Sequence, residues 1–193
     1  MLLDMINEFD FEKPYEIIAA RVNNVAQGLK FRAYQSRDIE FLDYRTYSGR
    51  NVYSRSLCFL LYKAALDIFP DCKVVMRRPI SKGFFCSIDK CDGNPLSARD
   101  IDLIKARMRE IVEEDIQFHR HEVQIAEAID LFRKLGHFDK VKLLESCGEV
   151  YISYYTLGGT ADYYYDVLVP SSGYLKIWDL TPYRNGALLR VPD

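Results

Sequence analysis

The segment 54–69, SRSLCFLLYKAALDIF, constrains the fold of this chain most. Leu57, Leu61, Ala64 and Ile68 recur on one helical face, so it reads as an amphipathic helix starting at Ser54. Pro70 closes it, because a prolyl ring cannot continue a helix. An apolar helix face must be covered, and the residues that follow supply the cover. KVVM and FFCSI are strand candidates joined by the turn RRPISKG, and Asp92-Gly93-Asn94-Pro95 is the next turn. Ser97 with Asp100 makes a capping-box-like start for a helix whose core stripe is Ile101, Ile104, Met108, Ile111 and Val112. Residues 123–135 form another helix, with Ile125, Ile129 and Phe132 inward and Gly136 as C-cap, and DKVKLLES is a short third one ended by Gly148. From residue 150 onward, EVYISYYTLGG, ADYYYDVLV, YLKIWDL and ALLRV read as antiparallel strands. Helices laid on an antiparallel sheet define an α+β fold.

Before residue 47 the pattern is different. Leu2, Leu3, Ile6 and Phe9 share one helix face, IIAARV and Val25-Ala26-Gln27 flank the turn dipeptide Asn23-Asn24, and DIEFLD at 38–43 is a further strand. The run Tyr47-Ser48-Gly49-Arg50-Asn51 is the natural boundary, which gives a module over 1–46 and a domain over 47–193.

Hydrophobic residues make up 49% of the 193 positions, enough for a real core, and the net charge of −2 argues against a strongly basic nucleic-acid binder while leaving room for a local basic patch. The sequence has no 18-residue apolar run and no basic leader with a small-residue cleavage site, so a cytoplasmic protein without a membrane partner is expected. The five cysteines, at 58, 72, 86, 91 and 147, are irregularly spaced with no C-x-x-C. They read as reduced thiols, Cys58 and Cys86 being small core residues.

Several clusters carry chemistry that has to be weighed. His119-Arg120-His121-Glu122 is the most ligand-like, yet it has no third ligand nearby, and solvated or helix-capping histidines are expected there. His137 reads as a helix-end residue. Lys73, Arg77, Arg78 and Lys82 lie in a stretch without an acid; a solvated hairpin is the ordinary reading and phosphate or RNA contact by Arg77, Arg78 and Lys82 the functional one. Six tyrosines fall within 151–165, and alternation along strands turns about half inward. No G-x-S-x-G places a serine against a base, and the Gly158-Gly159 pair is not part of a G-x-x-x-x-G-K-[ST] phosphate loop.

The order helix, strand, turn, strand, long helix, with P-I-x-x-G-F-F over 79–85, resembles the editing domain of threonyl-tRNA synthetases and of free-standing trans-editing proteins. That resemblance implies two ligand pairs, H-x-x-x-H on the first helix and C-x-x-x-H on a later strand. The corresponding positions here are Arg55 and Phe59 and, placed by Val169-Pro170, Tyr164 and Leu168. A guanidinium stays protonated and a phenyl ring has no lone pair, so no metal and no catalytic residue is expected. Arg55 should then pair with a carboxylate or reach solvent, on a helix facing the 163–169 strand, with Phe59 and Leu168 filling the space. A second resemblance, over PYEIIAARVNNVAQGLKFRAYQSRDIEFLD, DIQFHRHE, KVKLLES and DYYYDVLVPSSGY, is to the N-terminal region of a bacterial uridine (nucleoside) kinase-like family. It implies that 1–46 is a partial TGS-like β-grasp module and 47–193 an editing-like domain. The two would form a non-catalytic accessory region with a kinase domain in cis and RNA, tRNA or nucleotide as ligand. ATP and Mg would belong to that kinase half and no cofactor to this chain. The alternatives are an aminoacyl-tRNA editing hydrolase with displaced ligands and a structural dimerisation module forming a homo-oligomer.

Overall fold

A computed structural model describes residues 1–8, 15–35, 37–80 and 83–192, apart from the side chain of Arg78. In chain order the elements are α1 (Leu2–Glu8), β1 (Ala19–Val22), β2 (Val25–Gln27), β3 (Ile39–Leu42), α2 (Tyr47–Ile68), β4 (Lys73–Ile80), β5 (Gly83–Asp89) and α3 (Ala98–Glu113). They continue with β6 (Phe118–Gln124), α4 (Ile125–Lys134), α5 (Phe138–Ser146), β7 (Tyr151–Leu157), β8 (Thr160–Asp162), a 3-10 turn (Ser172–Tyr174), β9 (Asp179–Tyr183) and β10 (Gly186–Arg190). Helices with wholly antiparallel strand pairs make the protein α+β. The chain packs as two compact units, residues 1–117 with 166–193, and residues 118–165.

The first unit holds two sheets, with strand orders β2-β1-β3 and β4-β5-β10-β9. Asn23 and Asn24 sit at φ 45° and 69°, the left-handed pair that a tight two-residue hairpin demands and that asparagine tolerates. Leu2 of α1 is buried in one cluster with Ile17, Ala20, Val22, Leu29 and Phe41. Phe9, expected on the same helix face, lies outside the described residues.

Helix α2 begins at Tyr47, not at Ser54. Ser-Gly-Arg-Asn reads as a boundary by composition, but Thr46 Oγ1 accepts the Gly49 N–H at 3.1 Å and caps the helix ahead of it. Gly49 is required there, since a Cβ would stand 2.0 Å from the Asp43 carbonyl oxygen. The helix is buried on more than one face, with Val52, Leu57, Phe59, Leu60, Leu61, Ala64 and Ala65 all inaccessible.

The expected turn RRPISKG is another correction, because β4 runs on through Ile80 with a register shift between Met76 and Pro79. Proline has no N–H for the ladder, and a bulge absorbs the interruption. The capping box of α3 forms as expected, the Asp100 N–H donating to Ser97 Oγ at 3.2 Å and the Ser97 N–H to Asp100 Oδ2 at 2.9 Å. Ile101, Ile104, Met108 and Ile111 are buried. Arg107 ties α3 to α2, reaching Asp67 at 2.9 Å, Glu110 at 2.9 Å and Glu114 at 2.7 Å. Hydrogen bonds to these carboxylates, Glu114 first, raise the guanidinium pKa further.

The second unit is the sheet β6-β7-β8 with α4 and α5, around Ala128, Phe132, Val141, Leu144 and Ile152. The HRHE motif lies on β6, which follows α3 and precedes α4 in the chain. Val123 and Gln124 complete that strand opposite Ile152 and Tyr151, so the helix expected over 123–135 starts at Ile125. Gly136 and Gly148 sit at φ 76° and 68°, as helix-ending glycines do. Further on, the strand expected over ADYYYDVLV stops at Asp162, and the one over YLKIWDL leaves the 3-10 turn at Tyr174 and becomes strand only from Asp179, in β9.

Candidate functional site

Arg55 and Phe59 stand one turn apart on α2, as i, i+4 residues must. The segment 166–169 is fastened alongside them. Arg55 Nη2 lies 2.8 Å from Asp166 Oδ2 and donates to the Val167 carbonyl at 3.3 Å. One residue on, Ser56 Oγ accepts the Val169 N–H at 3.0 Å and donates to the Val52 carbonyl at 2.8 Å. The expected strand is absent here because these polar groups are satisfied by side chains of α2 and by Asp166, whose Oδ1 takes the Val167 N–H at 2.8 Å. Arg55 does pair with a carboxylate, while its buried Nε has no hydrogen-bond partner among the described residues. Phe59 is fully buried and Leu168 nearly so. Tyr164 belongs to the second unit and is half-buried.

The chain after Leu168 is held tightly. Ser172, fully buried, donates Oγ to the Ile111 carbonyl at 2.5 Å and accepts the Ile116 N–H at 2.8 Å. Asp115 Oδ1 takes the Ser171 hydroxyl at 2.5 Å and the Gly173 N–H at 3.0 Å. A Cβ on Gly173 would come within 2.3 Å of that same oxygen, so any other residue there would push the Asp115 side chain aside.

Of the basic group, Arg77 is exposed on β4 and its Nε donates to Ser87 Oγ at 3.4 Å, and Lys73 is exposed opposite Asp89. Lys82 and the Arg78 side chain lie outside the described residues. Cys58, Cys72 and Cys86 are buried thiols, and burial pushes the Cys72 pKa up to about 11 and the Cys86 pKa up to about 12. Neither is a thiolate at neutral pH, so neither is a nucleophile in this fold.

The second unit has a polar and aromatic cluster of its own. His121 stacks on Tyr154 at 4.9 Å, Tyr154 meets Phe132 edge-on at 6.0 Å, and Phe132 stacks on His137 at 5.9 Å. His121 Nε2 shares a 2.9 Å hydrogen bond with Thr156 Oγ1, whereas His119 is exposed. Lys140 forms an ion pair with Asp162, a nearly buried carboxylate that also accepts the Tyr163 N–H at 2.6 Å. Burial, then the Lys140 charge, holds the His137 imidazole below its ordinary pKa. Tyr155 is buried, Tyr154, Tyr163 and Tyr164 are half-buried, and Tyr151 and Tyr165 are exposed. The sequence reading missed Lys140 and Asp162, which are 22 residues apart and meet only through sheet and helix packing. Among the described residues, no three His, Cys, Asp or Glu side chains converge in a way that would hold a metal ion.

No family model matches the chain. Curated relatives do. The chain is 30% identical over 166 residues, 86% of its length, to a threonine–tRNA ligase of Carboxydothermus hydrogenoformans, and 30% identical over 162 residues, 83% of its length, to that of Desulforamulus reducens. A threonine–tRNA ligase of Fusobacterium nucleatum is 29% identical over 166 residues, 84% of the chain. The matches cover 26%, 25% and 26% of those relatives, so the chain spans about a quarter of their length. These relatives agree with the editing-domain resemblance and give no support to the kinase-like one. Over most of its length the chain is therefore similar to about a quarter of these threonine–tRNA ligases, and its fold is α+β, consistent with that similarity.

Proposed function

We propose that this chain is a tRNA-binding module of the threonyl-tRNA synthetase editing type that holds its ligand without hydrolysing it. The observation that carries the proposal is the identity and setting of three residues. At positions where the resemblance implies metal ligands, Arg55 is engaged by Asp166, and Phe59 and Leu168 are buried. None of the three offers a lone pair to a metal or a base to water. In this reading residues 1–46 are a TGS-like module and 47–193 the editing-like domain, working in the cytoplasm with tRNA as partner. Arg77 and Arg78, with Lys82, supply phosphate contacts from the hairpin that carries P-I-x-x-G-F-F. The nucleoside-kinase context draws no support from the relatives and is not part of the proposal.

A deacylase with displaced groups is the competing reading, and the Lys140–Asp162 ion pair, which keeps ionisable groups in a half-buried setting, is the observation that favours it. The two separate in one experiment on the purified chain. Binding of tRNA that weakens with salt, lost on Arg77→Glu with Arg78→Glu, together with intact threonyl- and seryl-tRNA after prolonged incubation, is the expected result. Release of serine or threonine from mischarged tRNA, abolished by Lys140→Met or by a chelator, would replace binding with hydrolysis.

A further inference from the structure

Between β2 and β3 the chain passes through residues 28–37, GLKFRAYQSR, which carry Lys30, Arg32 and Arg37 and no acidic residue. Both ends of this loop are anchored. Leu29 is buried, its carbonyl accepts the Leu3 N–H at 3.0 Å, and the Phe31 carbonyl accepts the Leu2 N–H at 3.1 Å. On the far side the Asn23 N–H donates to the Asp38 carbonyl at 3.0 Å, and the Asp38 N–H to Asn23 Oδ1 at 3.1 Å. Arg32, Ala33, Tyr34, Gln35 and Arg37 are all exposed, Tyr34 at 83%.

Arg21, Arg55, Lys90, Arg107 and Arg133 each meet a carboxylate, whereas Lys30, Arg32 and Arg37 form no ion pair among the described residues. Lys30 donates to the neutral Gln117 amide at 2.9 Å, and the Arg37 guanidinium lies over the Phe31 ring at 6.0 Å. The loop is thus a cationic strip without an ion pair among the described residues, and it carries an exposed tyrosine ring.

We infer that the 28–37 loop is a contact surface for single-stranded RNA, with a base stacked on Tyr34 and phosphates held by Arg32 and Arg37. An exposed ring flanked by cations offers the π-face and the charge that sequence-tolerant single-strand binding uses. Membrane attachment asks for a longer polybasic run or an amphipathic helix, and the loop has neither. An acidic peptide would satisfy the cations and leave the tyrosine without a role. The surface lies on a different element from β4, so the inference adds a second contact to the tRNA-binding reading and does not depend on Arg77.

The test is fluorescence anisotropy of the full chain with a labelled oligouridylate about a dozen nucleotides long and with tRNA, each variant first matched to the parent by circular dichroism. Arg32→Glu with Arg37→Glu should weaken oligouridylate binding about tenfold or more and flatten the salt slope by roughly 0.7 per lost contact. Tyr34→Ala should weaken it about tenfold with the slope unchanged, and Tyr34→Phe should bind as the parent does, because stacking is what is lost. Loop variants that bind oligouridylate like the parent overturn the inference, as does a parent that ignores oligouridylate but binds phosphatidylserine vesicles or polyglutamate. If Arg77→Glu abolishes tRNA binding while the loop variants leave both ligands untouched, the loop inference fails and the proposed function stands. If the loop variants lose oligouridylate while Arg77→Glu binds tRNA normally, the loop inference stands and the β4 contacts fall.

Discussion

The region around Arg55 and the cluster around His121 contrast in how each unit treats polar groups. In the first unit, Phe59 and Leu168 are buried apolar bulk, and Arg55 is neutralised by Asp166. In the second, histidine, lysine, aspartate and tyrosine remain at partly buried positions, each joined to a neighbour: His121 to Thr156, Lys140 to Asp162, Asp162 to the Tyr163 backbone. The difference follows from the cost of burial. A helix buried on several faces tolerates polar groups only where a partner is at hand, and the 166–169 segment supplies one for Ser56 and for one nitrogen of Arg55. A small three-stranded sheet lets polar side chains reach partners across the ladder.

The largest effect that would break this contrast is at Phe59. Phe59→Ala should cost about 3–5 kcal/mol in urea unfolding, the range for emptying a packed phenyl site. A loss under about 1 kcal/mol would show that the position is not core in the sense claimed. Next comes Ser172→Ala, which leaves the Ile116 N–H and the Ile111 carbonyl without the hydroxyl that serves both, at a cost of roughly 1–3 kcal/mol. A near-neutral result would mean that the chain after Leu168 is held by packing alone.

Asp166→Ala should be milder, about 1 kcal/mol, since both partners are partly exposed and solvent screens the pair. Adding Arg55→Met should restore most of that loss, because the uncompensated guanidinium goes with it. A double variant no better than Asp166→Ala would show that Asp166 acts through its Val167 N–H bond rather than through Arg55.

The smallest effect is a pH dependence in the second unit. His137 is held below its ordinary value by burial, so the unfolded chain takes up the proton first as pH falls. Its contribution is therefore fully present above the unfolded pKa of about 6.5 and lost as pH falls from there through the lower folded value. Unfolding of the parent at about pH 7.5 and about pH 5.5 should differ in this direction, and His137→Gln should reduce the difference. An unchanged difference assigns the pH dependence to other groups.

Much of the framework was legible because its signals are local. The Asn-Asn turn, the Ser97–Asp100 box, the glycines at 136 and 148 and the apolar stripe of α3 each act within one or two turns of chain. The departures have two origins. Ser-Gly-Arg-Asn became helix because Thr46 caps it only three residues ahead and Gly49 clears Asp43. Residues 166–169 left the ladder because Asp166 took the Val167 N–H and Ser56, more than a hundred residues away in the chain, took that of Val169.

By itself, then, the sequence determined the α+β class, the helix caps and turns, and the absence of ligand chemistry at Arg55, Phe59 and Leu168, since side-chain identity and short-range backbone bonding need no tertiary context. Only the tertiary structure decided that Asp166 holds Arg55, that Lys140 meets Asp162, that Lys30, Arg32 and Arg37 form no ion pair among the described residues, and that Tyr34 is exposed. Those facts depend on which distant segments folding brings together, and hydrogen bonding and charge neutralisation are settled by distance in space rather than along the chain.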